Sequence, residues 1–295
     1  MPGSLISFLR QANAVYTCRK RIVSRAAGKL LAIHTMRFPD PRLLRSEFRC
    51  RGFGLATELL DVNERSALFR IASALAQRRA TAVDRTDTGE RLWYNVVTGD
   101  RIAAEGLPLF RFYTGPEMLS WIRELSGSPS LAPSSHLRSG INVNCLQTAG
   151  QQYPWHRDAV PYTSLLFLTS LPGSAGGAFL IRAADGELVR VQPRAGDLLF
   201  MDGARCPHAV APLIESTLRL TVPMVYPTER IERPAGLDAY LYESAEGPHG
   251  IPVPSDPEPE PAPPSPIPVP DPSPDPPPTN PIPPPLPTDR VRHRR

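Results

Sequence analysis

Gly150-Gln-Gln-Tyr-Pro-Trp-His156-Arg157-Asp158 lies inside a stretch, residues 141–226, that has the texture of short strands. Side chains two apart on a strand project to the same side, so His156 and Asp158 point together. Around this motif the segments 141–147, 164–169, 178–183, 188–192, 197–201 and 218–226 are rich in Val, Ile, Leu and Phe and are separated by Gly, Pro or Asp. Six strands in so short a span leave no room for the crossover helices of a parallel sheet. Two facing antiparallel sheets, a jelly-roll, are the expected closure, with the barrel mouth as the reactive pocket.

Upstream, the patterning is helical. Asp61 caps a helix, with Glu64 three residues on completing a capping box. Leu68, Ile71, Ala72 and Leu75 then form one buried stripe. A second capping pattern, Thr114-x-x-Glu117, opens a helix carrying Met118, Trp121, Ile122 and Leu125 and ending at Gly127. Both stripes read as core packing, on helices covering one outer face of the jelly-roll. The stretch 48–57 reads as a short strand broken by glycines. The expected class is α+β: a double-stranded β-helix core with packing helices before it.

The chemistry lies in the order His156-x-Asp158 … His208, the second histidine following 52 residues after the first. Two imidazoles and one carboxylate supply one face of an octahedron, leaving three positions free. The reading places His208 on the turn after the strand ending near Met201, from which the scaffold brings it across. Zinc suits the same donors, but no His-Glu-x-x-His helix is present and the strand-rich setting favours non-haem iron. His34, His136, His249 and His293 read as ordinary core or surface histidines. Arg219 shares a strand face with Thr221, while Leu218, Leu220, Val222 and Met224 form the opposite, apolar face. A sheltered guanidinium there can hold a carboxylate through two hydrogen bonds, and the hydroxyl can add a third.

Residues from about 140 to 230 resemble the Fe(II)/2-oxoglutarate-dependent oxygenases with a double-stranded β-helix core. The motifs that carry this are Gly150 to Asp158, then Gly176-Gly177-Ala-Phe-Leu, Pro193-Arg-Ala-Gly-Asp-Leu-Leu-Phe200, His208-Ala-Val-Ala-Pro212 and Arg219-Leu-Thr221. The resemblance implies oxidative decarboxylation of 2-oxoglutarate to succinate, driven by O2 and supported by ascorbate. It assigns iron to His156, Asp158 and His208, and the cosubstrate to Arg219 and Thr221. Prolyl-hydroxylase-like and nucleic-acid demethylase relatives often carry a tyrosine nine residues before the first metal histidine. That position here is Gln147, whose amide is the expected substitute donor. The run from His208 to Arg219, with Trp155-His156, is similar to the branch containing amino-acid halogenases. Halogenases replace the metal carboxylate by glycine, so Asp158 implies hydroxylation. Tyr153, Trp155 and Arg157 flank the motif as candidate substrate contacts. The expected substrate is a small molecule such as a free amino acid. The alternatives are a protein prolyl hydroxylase and a non-catalytic jelly-roll binding module.

Two terminal regions stand apart. Residues 1–39 hold seven basic side chains and no acid, which reads as a basic extension, either an organellar transit peptide or a stretch upstream of a start at Met36. Residues 236–295 read as a disordered tail, since twenty of the chain's 37 prolines fall between Pro252 and Pro287. As polyproline II, at ~3.1 Å per residue, that run could reach on the order of 100 Å. Its Pro284-Pro-Leu-Pro287 segment could recruit a protein partner. The net charge of +4 comes from the termini, residues 1–39 contributing +7, and the body is near neutral. That balance argues against nucleic acid as a partner. No apolar run approaches the ~20 residues of a membrane helix. Cys18, Cys50, Cys145 and Cys206 show no disulfide-like spacing, which fits free thiols and a cytoplasmic location. Oligomeric state is not legible.

Overall fold

A computed structural model describes residues 38–86, 89–228 and Tyr242. The readings of the basic extension and the proline-rich tail lie outside those residues. Helix α1 (Pro41–Arg51) begins where Asp40 accepts from the Arg42 N–H at 2.9 Å and Pro41 presets the first turn. It ends at Gly52, whose φ of 79° supplies the left-handed turn. The expected strand over 48–57 is therefore corrected. Phe48 to Arg51 complete α1, and only β1 (Phe53–Ala56) is extended. Helix α2 (Val62–Arg79) carries the capping box read from the sequence, with Asp61 accepting from Asn63 and Glu64 and the Glu64 carboxylate reaching back to the Asp61 N–H. Its buried Leu68 and Leu75 each contribute roughly 1.5–3 kcal/mol.

A hairpin of β2 (Thr81–Arg85) and β3 (Leu92–Val97) follows, then α3 (Gly99–Glu105), α4 (Leu107–Thr114), α5 (Pro116–Ser126) and the single turn α6 (Leu137–Gly140). Thr114 does not cap the helix that carries Trp121. It closes α4, its hydroxyl bonding back to the Phe110 carbonyl, and α5 starts at Pro116 behind Gly115. Gly127 ends α5 at φ 74°, as read. The remaining strands are β4 (Val143–Leu146), β5 (Tyr153–His156), β6 (Tyr162–Phe167), β7 (Phe179–Arg182), β8 (Leu188–Val191), β9 (Leu198–Asp202), β10 (His208–Val210) and β11 (Arg219–Tyr226).

The strands form two sheets, a larger one ordered β1-β9-β6-β11-β4-β3-β2 and a smaller one ordered β5-β10-β7-β8, with every pairing antiparallel. From β4 onward the chain crosses between them repeatedly, which is jelly-roll winding. Period-2 alternation splits the larger sheet into two faces. Leu166, Leu198, Phe200, Leu220 and Val222 meet the helices, where Trp121 and Phe200 pack edge to face. Leu165, Phe167, Leu199 and Met201 turn the other way, toward Phe179, Ile181 and Val191 of the smaller sheet. One layer of helices therefore stiffens the larger sheet, and the space between the sheets is left for the site. Among the described residues no helix is long and apolar enough to cross a membrane.

Candidate metal centre

His156 and His208 meet because β5 and β10 pair. The two residues face each other in register, with ring centroids 4.2 Å apart. His208 is not on a turn, as the sequence suggested. It opens β10, because the turn over 203–206 is completed before Pro207. The register then slips, Val210 pairing with Tyr153, so two steps on β10 oppose three on β5. This bulge puts Tyr153 on the same side as His156, its ring 4.4 Å from the imidazole. Pro154 is tolerated within β5 because that strand is an edge of its sheet.

Asp158 lies two residues beyond β5. Its N–H donates to the Gly203 carbonyl at 3.0 Å, docking this loop on the turn after β9. Its Oδ1 stands 3.8 Å from His156 Nε2 and 3.5 Å from His208 Nε2. The ligand atoms of the three residues all lie within 4.8 Å of one another. Bonds of about 2.1 Å at right angles would separate such atoms by about 3.0 Å, so a small contraction completes an octahedral face. The remaining polar atoms are committed elsewhere. Each Nδ1 lies 2.9 Å from a main-chain carbonyl, Pro154 for His156 and Cys206 for His208. A carbonyl only accepts, so Nδ1 carries the proton and Nε2 presents its lone pair to the centre. Thr163 donates its hydroxyl to Asp158 Oδ2 at 2.7 Å, leaving Oδ1 for the centre. The donor set fits a facially bound divalent transition metal.

The electrostatics of the three groups are coupled. Burial, reinforced by the neighbouring His208, pushes the His156 imidazole down to about 4, so it is neutral and able to ligate at ordinary pH. For Asp158, burial opposes ionisation but is outweighed by His208, His156 and the Thr163 hydroxyl, which hold the carboxyl at about 2. For His208, burial is outweighed by Asp158, and its pKa is raised.

Arg219, the first residue of β11, is 1% exposed. Its Nε donates to the Gly177 carbonyl at 2.8 Å and its Nη1 to Thr221 Oγ1 at 3.2 Å, while Nη2 is buried without a partner among the described residues. Burial alone pulls this guanidinium down to about 9, which still leaves it charged at neutral pH. A buried cation with an unused N–H edge is costly unless an anion completes it. Gly177 makes the approach possible. At φ 64°, a Cβ there would fall 2.8 Å from Leu213, 3.0 Å from Leu171 and 3.2 Å from the Arg219 side chain. The free arginine edge beside the Thr221 hydroxyl suits a carboxylate.

The other sequence candidates separate. Gln147 is exposed beyond the end of β4, and only its main-chain N–H is engaged, by Gln151. Trp155 is exposed on the edge strand. Arg157 donates to the carbonyls of Ala204 and Arg205, tying the turn that precedes His208. Three contributors were missed. Thr163 orients Asp158. Gly203 lets Asp158 approach, for a Cβ there would fall 2.0 Å from Oδ2. Tyr94, buried on β3, lies tilted against Tyr153, with ring centroids 5.1 Å apart, on the side away from His156. The alternation Leu92, Tyr94, Val96 marks that strand in the sequence, whereas nothing local marks the other two.

No protein-family model matches the chain, and no curated protein does. Solved structures do. The epimerase SnoN in complex with Fe3+, alpha ketoglutarate and nogalamycin RO is 19% identical with a TM-score of 0.55, over 72% of this chain and 93% of that one. A 2OG-Fe(II) oxygenase family oxidoreductase from Burkholderia pseudomallei is 13% identical with a TM-score of 0.53, over 66% and 95%. A prolyl hydroxylase from Trichoplax adhaerens, in complex with a hypoxia inducible factor peptide fragment, is 16% identical with a TM-score of 0.52, over 64% and 90%. The chain therefore has the jelly-roll fold of the Fe(II)/2-oxoglutarate oxygenases.

Proposed function

We propose that this protein is an Fe(II)- and 2-oxoglutarate-dependent dioxygenase that hydroxylates a C–H bond of a small molecule such as a free amino acid. The observation that carries the reading is the convergence of His156, Asp158 and His208 within 4.8 Å. The unpartnered buried Nη2 of Arg219 on the same interior supports it. His156 and His208 would hold iron through Nε2 and Asp158 through Oδ1, and Arg219 with Thr221 would receive the distal carboxylate of 2-oxoglutarate. Iron, the keto acid and O2 together supply the oxidising power for hydroxylation, releasing succinate and carbon dioxide, with ascorbate supporting turnover.

The chain's own residues then set the outcome. Main-chain carbonyls engage Nδ1 of both imidazoles, which leaves Nε2 as the nitrogen that faces the centre. Thr163 and the Gly203 carbonyl fasten Asp158, and a halide would have to displace it. This supports hydroxylation over halogenation, and chlorinated product from the unaltered protein in chloride buffer would overturn that choice. Of the candidate substrate contacts, Tyr153 packs against the His156 ring, whereas Trp155 is exposed on the edge strand and Arg157 is engaged by the carbonyls of Ala204 and Arg205. The test is succinate release from 2-oxoglutarate under air with Fe(II) and ascorbate, screened across amino acids. Stimulated release that vanishes in His156→Ala and Asp158→Ala is expected. No release with any metal-loaded preparation refutes the reading.

A further inference from the structure

The register of the larger sheet brings a further side chain to Arg219. Across the β4–β11 pairing, Leu146 lies opposite Arg219 and Asn144 opposite Thr221. Directly opposed residues of an antiparallel pair share a face, with Cβ atoms about 4.5–5.5 Å apart. Asn144 therefore projects between the sheets beside the Thr221 hydroxyl, which already accepts from Arg219 Nη1. On its other side it pairs with Val96, an apolar neighbour that offers no hydrogen bond.

Three amides on this part of the chain were open to such a role, and the structure separates them. Asn142 is satisfied at both ends, its Nδ2 donating to the Arg138 carbonyl and its Oδ1 accepting from the Tyr242 hydroxyl. Gln147 is exposed. Asn144 is half-buried, and its carboxamide meets no hydrogen-bond partner among the described residues. Two unused donor groups thus stand on one interior face, the Nδ2 of Asn144 and the Nη2 of Arg219, with a hydroxyl between them. Because Thr221 Oγ1 accepts from the guanidinium, its own hydrogen is free to point the same way.

We propose that Asn144, in place of Gln147, is the third donor to the distal carboxylate of the keto diacid and so a specificity-determining residue for the cosubstrate. This rests on the oxygenase reading above. Asn144 would favour a dicarboxylic keto acid over a monocarboxylic one, because only the former reaches the donor cluster.

The test uses the full-length, Mn(II)-loaded protein in isothermal titration without O2, with 2-oxoglutarate and pyruvate as separate probes. Pyruvate keeps the chelating keto-acid end and lacks the distal carboxylate. A hydrogen bond to a charged group supports a loss of roughly tenfold or more in 2-oxoglutarate affinity for Asn144→Ala, with pyruvate and Mn(II) affinities unchanged. Asn144→Asp sets a like charge beside the carboxylate and lowers 2-oxoglutarate affinity further, while Gln147→Ala leaves it as in the parent. Parent-like 2-oxoglutarate binding by Asn144→Ala, or an equal loss for both probes, overturns the assignment. Failure of the parent itself to bind 2-oxoglutarate overturns the oxygenase reading along with it. Thermal melting of each metal-loaded variant separates a local loss from misfolding.

Discussion

Substituting Gly203 by alanine tests the geometry of the centre without touching any proposed ligand. A Cβ at that position falls 2.0 Å from Asp158 Oδ2, 2.7 Å from its Cγ and 2.9 Å from its Cβ, where ordinary contact begins near 3.4 Å. The carboxylate oxygen must retreat by about 1.4 Å, well over half the length of a metal–oxygen bond of about 2.0–2.2 Å. Gly203 cannot step aside instead, since its N–H donates to Pro161 at 2.6 Å and its carbonyl accepts from Asp158 at 3.0 Å. A displacement on the order of 1 Å at a reacting centre costs ~100-fold, so Mn(II) affinity and 2-oxoglutarate turnover should each fall by roughly that factor in Gly203→Ala. The forced overpacking should also lower stability by about 1–3 kcal/mol. In an Asp158→Gly background, which removes every clashing atom, adding Gly203→Ala should cost no further metal affinity, the non-additivity expected of touching residues. Titration calorimetry on the four proteins decides. Parent-like Mn(II) affinity in the single variant would refute the reasoning.

Further outcomes follow from the same contacts. Arg219→Met removes a buried unpaired charge, so the protein without cosubstrate should melt no lower than the parent, while the rise in Tm on adding 2-oxoglutarate disappears; a retained rise contradicts the anchor. Co(II) at about 100 times its Kd should stabilise the protein by about 2.7 kcal/mol. That corresponds to a Tm shift of about 5–10 °C in a domain of this size, and scanning calorimetry should find it absent in His208→Ala. Asp61→Ala breaks the capping box of α2 and should lower unfolding free energy by about 1 kcal/mol in urea titration, with turnover unchanged.

The jelly-roll was legible because six of its strands are runs rich in Val, Ile, Leu and Phe cut off by a turn former, and the His156-x-Asp158 spacing matches the strand period; β2 and β10 carry no such run. The cap at Asp61 was equally plain, being entirely local. Thr114 misled because its hydroxyl had a nearer acceptor, the Phe110 carbonyl one turn back, and Pro116 already supplied a helix start. Phe48 to Arg51 carry no strong helical signal of their own; the helix that claims them is nucleated seven residues earlier by Asp40 and Pro41. Gln147 drew the cosubstrate role by counting back from His156. The pairing of β4 with β11, which no local pattern reveals, turns Asn144 inward instead. Gly203 and Thr163 become meaningful only once Asp158 has been folded against them.

Each candidate ligand histidine is oriented by the main chain two positions before it, Pro154 for one and Cys206 for the other. No substitution of a side chain can delete those acceptors. Imidazole orientation is thereby inherited with the course of the backbone, without a dedicated carboxylate partner that drift could remove. Such a centre tolerates wholesale replacement of its surroundings as long as two short edges of polypeptide keep their path, which makes the scaffold permissive toward new pocket walls.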